Sequence, residues 1–158
     1  MELKNININF INKINSSEIN KFTQIKNKKQ TYKSCLDYLI TRFRNNELYY
    51  SINTLNGRFF GTLTMREISD GKAYLGILIF DKKFQGTLEA KASTNVFLDY
   101  CFKKLDLKAI LGVTYKKNIG ANFYMIINNF KMIKKYDDQW EFSVNRNNFK
   151  KYYDYKLL

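Results

Sequence analysis

Histidine is absent from this sequence. Its absence removes every Ser-His and Cys-His nucleophile pair and every His-ligated metal site. Cysteine is nearly absent. Cys35 and Cys101 stand far apart, neither with a second cysteine nearby, so no zinc pattern exists and no metal is expected. Both fall in apolar helical patterns, as buried thiols do. No run approaches the ~20 apolar residues that a membrane span requires. The opening "MELKNININF" alternates and lacks the apolar block of a signal peptide. The expectation is a cytoplasmic protein with no membrane span. Acidic residues are also scarce: 14 Asp and Glu stand against 27 Lys and Arg, for a formal net charge of +13. That field favours anionic partners such as nucleic acid, nucleotides or an acidic membrane surface. Proline, however, is missing too, while Lys, Asn, Ile and Tyr are abundant throughout. No compact basic block stands out, so the charge reads as a compositional drift across the whole surface, with no specific nucleic-acid partner.

What is present suits one domain over residues 1–158, long enough to bury a proper core. Residues 5–11 alternate Asn with Ile6, Ile8 and Phe10, a half-buried strand. "SSEI" offers an N-cap for a short helix over 16–22, and 24–30 is a basic link. From Thr31, positions Tyr32, Cys35, Leu36, Leu39, Ile40 and Phe43 mark one helix face. Three strands follow, 48–53, 58–65 and 73–80. The first two are joined at Asn56-Gly57, a strong hairpin signal. After a polar loop with one glycine, Gly86, a helix runs to about Lys104 with Leu88, Ala92 and Val96 at i, i+4 and i+8. A strand at 108–115, a helix at 118–129 and a hairpin built on "FKMIKK" and "QWEFSV" complete the order. The passage from 73 to 115 predicts a right-handed parallel crossover within an otherwise antiparallel sheet. The fold class is therefore α+β, a mixed α/β three-layer domain.

The stretch "FDKKFQGTLEAKAS", 80–93, is a strand, a glycine loop and a helix start. This is the local geometry that holds phosphate on unpaired backbone N–H groups at the positive end of a helix dipole. Lys82, Lys83 and Lys91 add charge, and Gly86 permits close approach. The plain alternative is an ordinary strand-to-helix turn. Gln85, Leu88 and Ala90 fall on the pattern Arg/Gln-x-x-Gly-x-Gly/Ala. Asn118, Ala121 and Phe130 fall on Asn-x-x-Ala-x-x-x-Tyr-x-x-x-Gly-Phe. With the element order over 48–135, these residues make the chain resemble the GNAT superfamily of acetyl-CoA-dependent N-acetyltransferases. It is nearest the branches that acetylate ribosomal-protein N-termini or nucleotide-linked amino sugars. Four positions depart from the patterns. Leu88 stands at the usual middle glycine, Met125 at the usual tyrosine, Asn129 at a glycine, and Tyr74 where those branches often carry glutamate.

The resemblance implies a sheet splayed to admit acetyl-CoA as cosubstrate. The pyrophosphate would lie on Gln85, Gly86, Thr87, Leu88, Glu89 and Ala90, and the pantetheine arm along Leu78, Ile79 and Phe80. Strand amides near Leu78 would polarise the thioester carbonyl. Asn118 would approach the cofactor or cap its own helix. Tyr124 is the candidate acid for the leaving thiolate, although adjacent helix positions differ by about 100°, so Tyr124 and Met125 cannot both face the slot. Glu67 and Tyr74 are candidate bases, and a water chain would serve in their place. The acceptor is a small-molecule or peptide amine, met by 16–45 and the 66–72 turn with Lys33, Arg42 and Arg44. A homodimer stays open. Two rival readings remain: a basic nucleic-acid-binding module whose aromatics, 16% of residues, stack bases, and a GNAT-like scaffold without catalysis.

Overall fold

The computed structural model describes residues 2–5, 41, 45, 47–54 and 56–152. The helix expected over 16–22, all of the one expected over 31–44 except Thr41, and Cys35, Lys33, Arg42 and Arg44 lie outside the described residues. Seven strands form one sheet in the order β1-β2-β3-β4-β5-β7-β6. They are β1 (Glu2–Asn5), β2 (Leu48–Asn53), β3 (Phe59–Ser69), β4 (Lys72–Ile79), β5 (Ala109–Tyr115), β6 (Lys131–Lys135) and β7 (Gln139–Asn145). Helix α1 (Leu88–Lys104) joins β4 to β5, and α2 (Ile119–Ile127) follows β5. All neighbouring strands are antiparallel except β4 and β5, the crossover that the order of elements predicts.

Two strands need comment. β1 covers Glu2–Asn5, and the strand expected over 5–11 lies, beyond Asn5, outside the described residues. β3 runs four residues past Met65. A bulge between Arg66 and Ser69, with Glu67 at φ +52°, absorbs the break in alternation and lets pairing resume at Ser69↔Lys72.

Strand alternation sorts the side chains onto two faces. One face carries Tyr50, Leu63, Met65, Leu75, Ile77, Ile110 and Gly112 and is covered by the described helices. Phe97 of α1 packs on Tyr50, with ring centroids 5.5 Å apart. Phe60, Phe97, Leu98, Cys101, Ile110 and Phe142 form the centre of the core, all essentially without exposed surface. Burial pushes the Cys101 thiol well above its ordinary range, as befits an inert core residue. Within α1, Ala92 and Val96 are buried as their spacing predicts, but Leu88 is 71% exposed because it opens the first turn, beyond the sheet. The opposite face carries Thr62, Thr64, Arg66, Tyr74, Gly76, Leu78, Leu111, Val113 and Glu141.

Candidate functional site at the β4–β5 fork

Parallel pairing between β4 and β5 lasts three residues: Lys72↔Ala109, Ala73↔Ile110 and Tyr74↔Leu111. Beyond Tyr74, β4 stays paired with β3 as far as Ile79, and β5 stays paired with β7 as far as Tyr115. The two strands therefore fork. The Phe80 N–H donates to the Phe60 carbonyl on β3 at 2.8 Å. By strand alternation, the N–H of Leu78 also faces β3, whereas those of Ile77 and Ile79 face the fork. The amides on either side of Leu78 are thus the ones turned toward the opening.

At its upper end the fork meets a braced loop. Phe84 stacks on Phe60, with centroids 4.3 Å apart. Asp81 pairs with Arg58 and accepts from the Lys83 N–H at 3.1 Å. The Lys83 N–H, followed by the Arg58 guanidinium, holds the Asp81 carboxyl below its usual range. Gln85 Nε2 donates to the Ile79 carbonyl at 3.1 Å, tying the loop back to the strand. Gly86 takes φ +76°, which favours glycine, and a side chain there would meet nothing within 4 Å. Thr87 caps α1, accepting from the Ala90 N–H. Among the described residues, the N–H groups of Gly86, Leu88 and Glu89 have no protein acceptor. They lie at the positive end of a 17-residue helix, with Glu89 and Ala90 in its first turn.

Asn118 caps α2, its Oδ1 accepting from the Ala121 N–H at 3.1 Å. The far end of α2 settles which side chain turns inward. Asn129 takes φ +70°, a left-handed conformation that asparagine tolerates. The Phe130 N–H reaches the Met125 carbonyl and the Asn129 N–H reaches that of Ile126, each at 3.0 Å. This closes the helix with Phe130 folded under Met125. Met125 is buried, and its methyl group fills the space a side chain would occupy at Gly112 on β5. Tyr124 turns toward α1 instead, and its hydroxyl lies 3.0 Å from Thr94 Oγ1. Burial raises the Tyr124 pKa to about 12 against the opposing hydrogen bonds of Thr94 and Asn128. The Thr94–Tyr124 contact links the helix after β4 to the helix after β5, across strands that no longer pair.

On the opposite face, Gly76 approaches Thr64 so closely that any side chain would strike the Thr64 hydroxyl. Arg66 lies beside it with a buried Nε that has no partner among the described residues. Glu67 is exposed on the bulge, and its N–H donates to Glu47 Oε1 at 3.4 Å. The Tyr74 hydroxyl donates to Glu141 Oε1 at 3.2 Å, two strands away on β7. Burial raises the Tyr74 pKa, with Glu141 adding to the effect. The structure thus brings Ile77–Phe80, the 85–90 loop and Tyr124 around one side of the fork and Tyr74 onto the other. Thr94, Arg66 and Glu141 are the residues that sequence reasoning missed. Nothing local marks them: Thr94 and Glu141 are picked out by hydrogen-bond partners distant in the chain, and Arg66 by a buried Nε beside Gly76 on the next strand.

Among the described residues, no group of His, Cys, Asp and Glu could hold a metal ion, and no helix is long and apolar enough to cross a membrane. No protein-family model matches the chain, and no match was found among curated proteins. Solved structures do match. A spermidine N-acetyltransferase from Vibrio cholerae, in complex with CoA and spermine, superposes with a TM-score of 0.80 at 17% identity, covering 92% of this chain and 95% of that one. RimJ from Mycobacterium smegmatis, in complex with CoA-disulfide, gives 0.76 at 15% identity over 92% and 81%. A GNAT-family acetyltransferase from Bacillus anthracis gives 0.75 at 10% identity over 92% and 94%. The mixed α/β architecture, mostly antiparallel with one parallel pair that forks, is therefore the fold of the GNAT acetyltransferases.

Proposed function

We propose that this protein transfers the acetyl group of acetyl-CoA to a primary amine within one GNAT-like unit spanning residues 1–158, by direct attack in a ternary complex. The observation that carries the reading is the fork. Among the described residues, one edge of β4 loses its partner after Tyr74 and leads directly into a braced loop with outward amides. The residues fit CoA. Gly86, Leu88 and Glu89 offer N–H groups to a pyrophosphate, and Lys82, Lys83 and Lys91 add charge. Ile77 and Ile79 offer strand hydrogen bonds to an extended amide-containing arm. Acetyl-CoA supplies an activated acetyl thioester, and every other task falls to the chain. The edge amides orient the carbonyl and draw off its charge, work worth ~3–4 kcal/mol per donor in other acyl-transfer sites. Asn118 caps α2 and so fixes the wall beside the slot.

For proton handling, Tyr124, which leans toward α1 at the side of the slot while Met125 takes the inward position, is the acid, and Tyr74, with Glu67, the basic side. A phenol held at about 12 stays protonated and donates a hydrogen bond. Its yield as a proton donor then lies at the low end of the ~10²–10⁴ range for positioned acids. The acceptor is a protein N-terminus or a nucleotide-linked amino sugar, met in the cytoplasm. The test is a thermal-shift series with acetyl-CoA, CoA and an oligonucleotide, followed by thiol release with a free-N-terminus peptide, an amino-sugar nucleotide and spermidine. A shift with acetyl-CoA, none with oligonucleotide at 200 mM salt, and turnover on one amine are expected. No shift at millimolar acetyl-CoA, with a clear shift from nucleic acid, overturns the reading. Tight acetyl-CoA binding without transfer to any amine leaves the scaffold reading in its place.

A further inference from the structure

At the point where β4 and β5 part, the β4 side chain is the phenol of Tyr74, and a carboxylate reaches it from β7. Glu141 lies on β7, opposite Val113 of β5, on the face turned away from α1 and α2. Its two oxygens accept from two phenols: Oε1 from Tyr74 and Oε2 from Tyr136, each at 3.2 Å. Tyr74 is the last β4 residue paired with β5, so its hydroxyl sits where the strands begin to part.

We propose that Glu141, two strands away on β7, takes up the proton of the acceptor amine through the Tyr74 hydroxyl. This rests on the acetyl-transfer reading above. The step balances as follows. An N–H bond of the acceptor breaks toward the Tyr74 oxygen, and the Tyr74 O–H bond breaks toward Glu141 Oε1. The phenol is regenerated, the carboxyl becomes neutral, and the nitrogen keeps an electron pair for the acetyl carbon. Tyr74 touches the acceptor, and Glu141 acts through it. The elevated Tyr74 pKa suits a hydroxyl that passes a proton without standing as a phenolate. The charged and titratable groups around the pair are Glu67 and Arg66 from β3, Tyr136 from the turn before β7, and Lys134, opposite Glu141 on β6. Lys134 lies over the Tyr136 ring at 4.7 Å, which places a positive charge beside the carboxylate's second partner.

The test compares wild type with Glu141→Gln and Tyr74→Phe, using acetyl-CoA and whichever of the peptide, amino-sugar nucleotide and spermidine is turned over. Glu141→Gln keeps an acceptor for the Tyr74 hydroxyl and removes only the base. Its kcat/KM is expected to fall about 10²-fold at neutral pH and to recover as rising pH strips the amine of its proton. Acetyl-CoA affinity should stay within about twofold. Tyr74→Phe should show the same pH-dependent loss. A second readout needs no turnover: in carbon-labelled tyrosine spectra, Glu141→Gln should lower the pH at which Tyr74 ionises. Loss of equal size at every pH, wild-type activity in Glu141→Gln, or an unmoved Tyr74 titration overturns the relay. A wild type that binds acetyl-CoA yet acetylates no amine removes the reaction itself, and the relay with it.

Discussion

The two edges of β4 differ sharply. Toward β3 the strand is paired from Lys72 to Ile79, through the bulge and the close Thr64–Gly76 approach. Toward β5 pairing stops at Tyr74. One strand is thus core on one side and, among the described residues, an open edge on the other. Unpaired strand edges are normally hazards that proteins blunt or cover. Here the edge lies inside the sheet, walled by two helices that the Thr94–Tyr124 contact ties together, and it runs into the outward amides of the 85–90 loop. In the proposed function, this interior edge is where a strand-like ligand from outside the chain pairs.

The largest expected effect breaks the open side. Acetyl-CoA at about 100 times its dissociation constant should stabilise the wild type by ~2.7 kcal/mol, and Gly86→Asp should abolish that gain by setting a carboxylate against the pyrophosphate. The unliganded variant should lose only roughly 1–2 kcal/mol from its left-handed backbone, as a denaturant titration would show. Next is the link across the fork. The unfolded chain ionises Tyr124 near its ordinary value, about pH 10, and the folded chain resists until about 12. The buried phenol's stabilisation is therefore complete below about pH 10 and drains away up to about 12, roughly 2–3 kcal/mol in all. Tyr124→Phe should flatten that part of the alkaline stability curve relative to wild type.

The closed side breaks at Gly76. A methyl group there meets the stiff Thr64 side chain, so Gly76→Ala should cost about 1–3 kcal/mol in urea unfolding. The smallest effect sharpens the comparison most finely. Leu88 is the first residue of α1, exposed, and preceded by Thr87 at φ −79°, ψ 164°, a conformation that suits a following proline. Leu88→Pro removes one unpaired N–H and little else. Folding stability should hold or rise slightly while acetyl-CoA binding weakens about 2- to 10-fold by calorimetry, a loss of up to ~1.4 kcal/mol.

Much of this architecture is legible in local signals. Asn56-Gly57 marks the hairpin, with Gly57 at φ +76°. The glycine loop and the helix after it stand where their residues indicate, and the spacing of Asn118, Ala121 and Phe130 turns Met125 inward. The β3 bulge is not legible, because Arg66 and Glu67 interrupt alternation just as a strand end would. Leu88 fits an apolar stripe by spacing alone, yet it sits beyond the sheet that the stripe covers. Glu141 reads as one polar residue of an alternating strand. Its meeting with Tyr74 depends on β7 inserting between β5 and β6, a non-local event that no spacing reveals.

The most direct test of the two-edged strand is residue-resolved amide exchange on β4, with and without acetyl-CoA. The N–H groups of Gly76 and Leu78, bonded toward β3, should exchange slowly in both states. Those of Ile77 and Ile79, facing the fork, should exchange quickly in the free protein and become protected when acetyl-CoA binds. Protection of Ile77 and Ile79 already complete without ligand, or exchange there unchanged by saturating acetyl-CoA, would contradict the account.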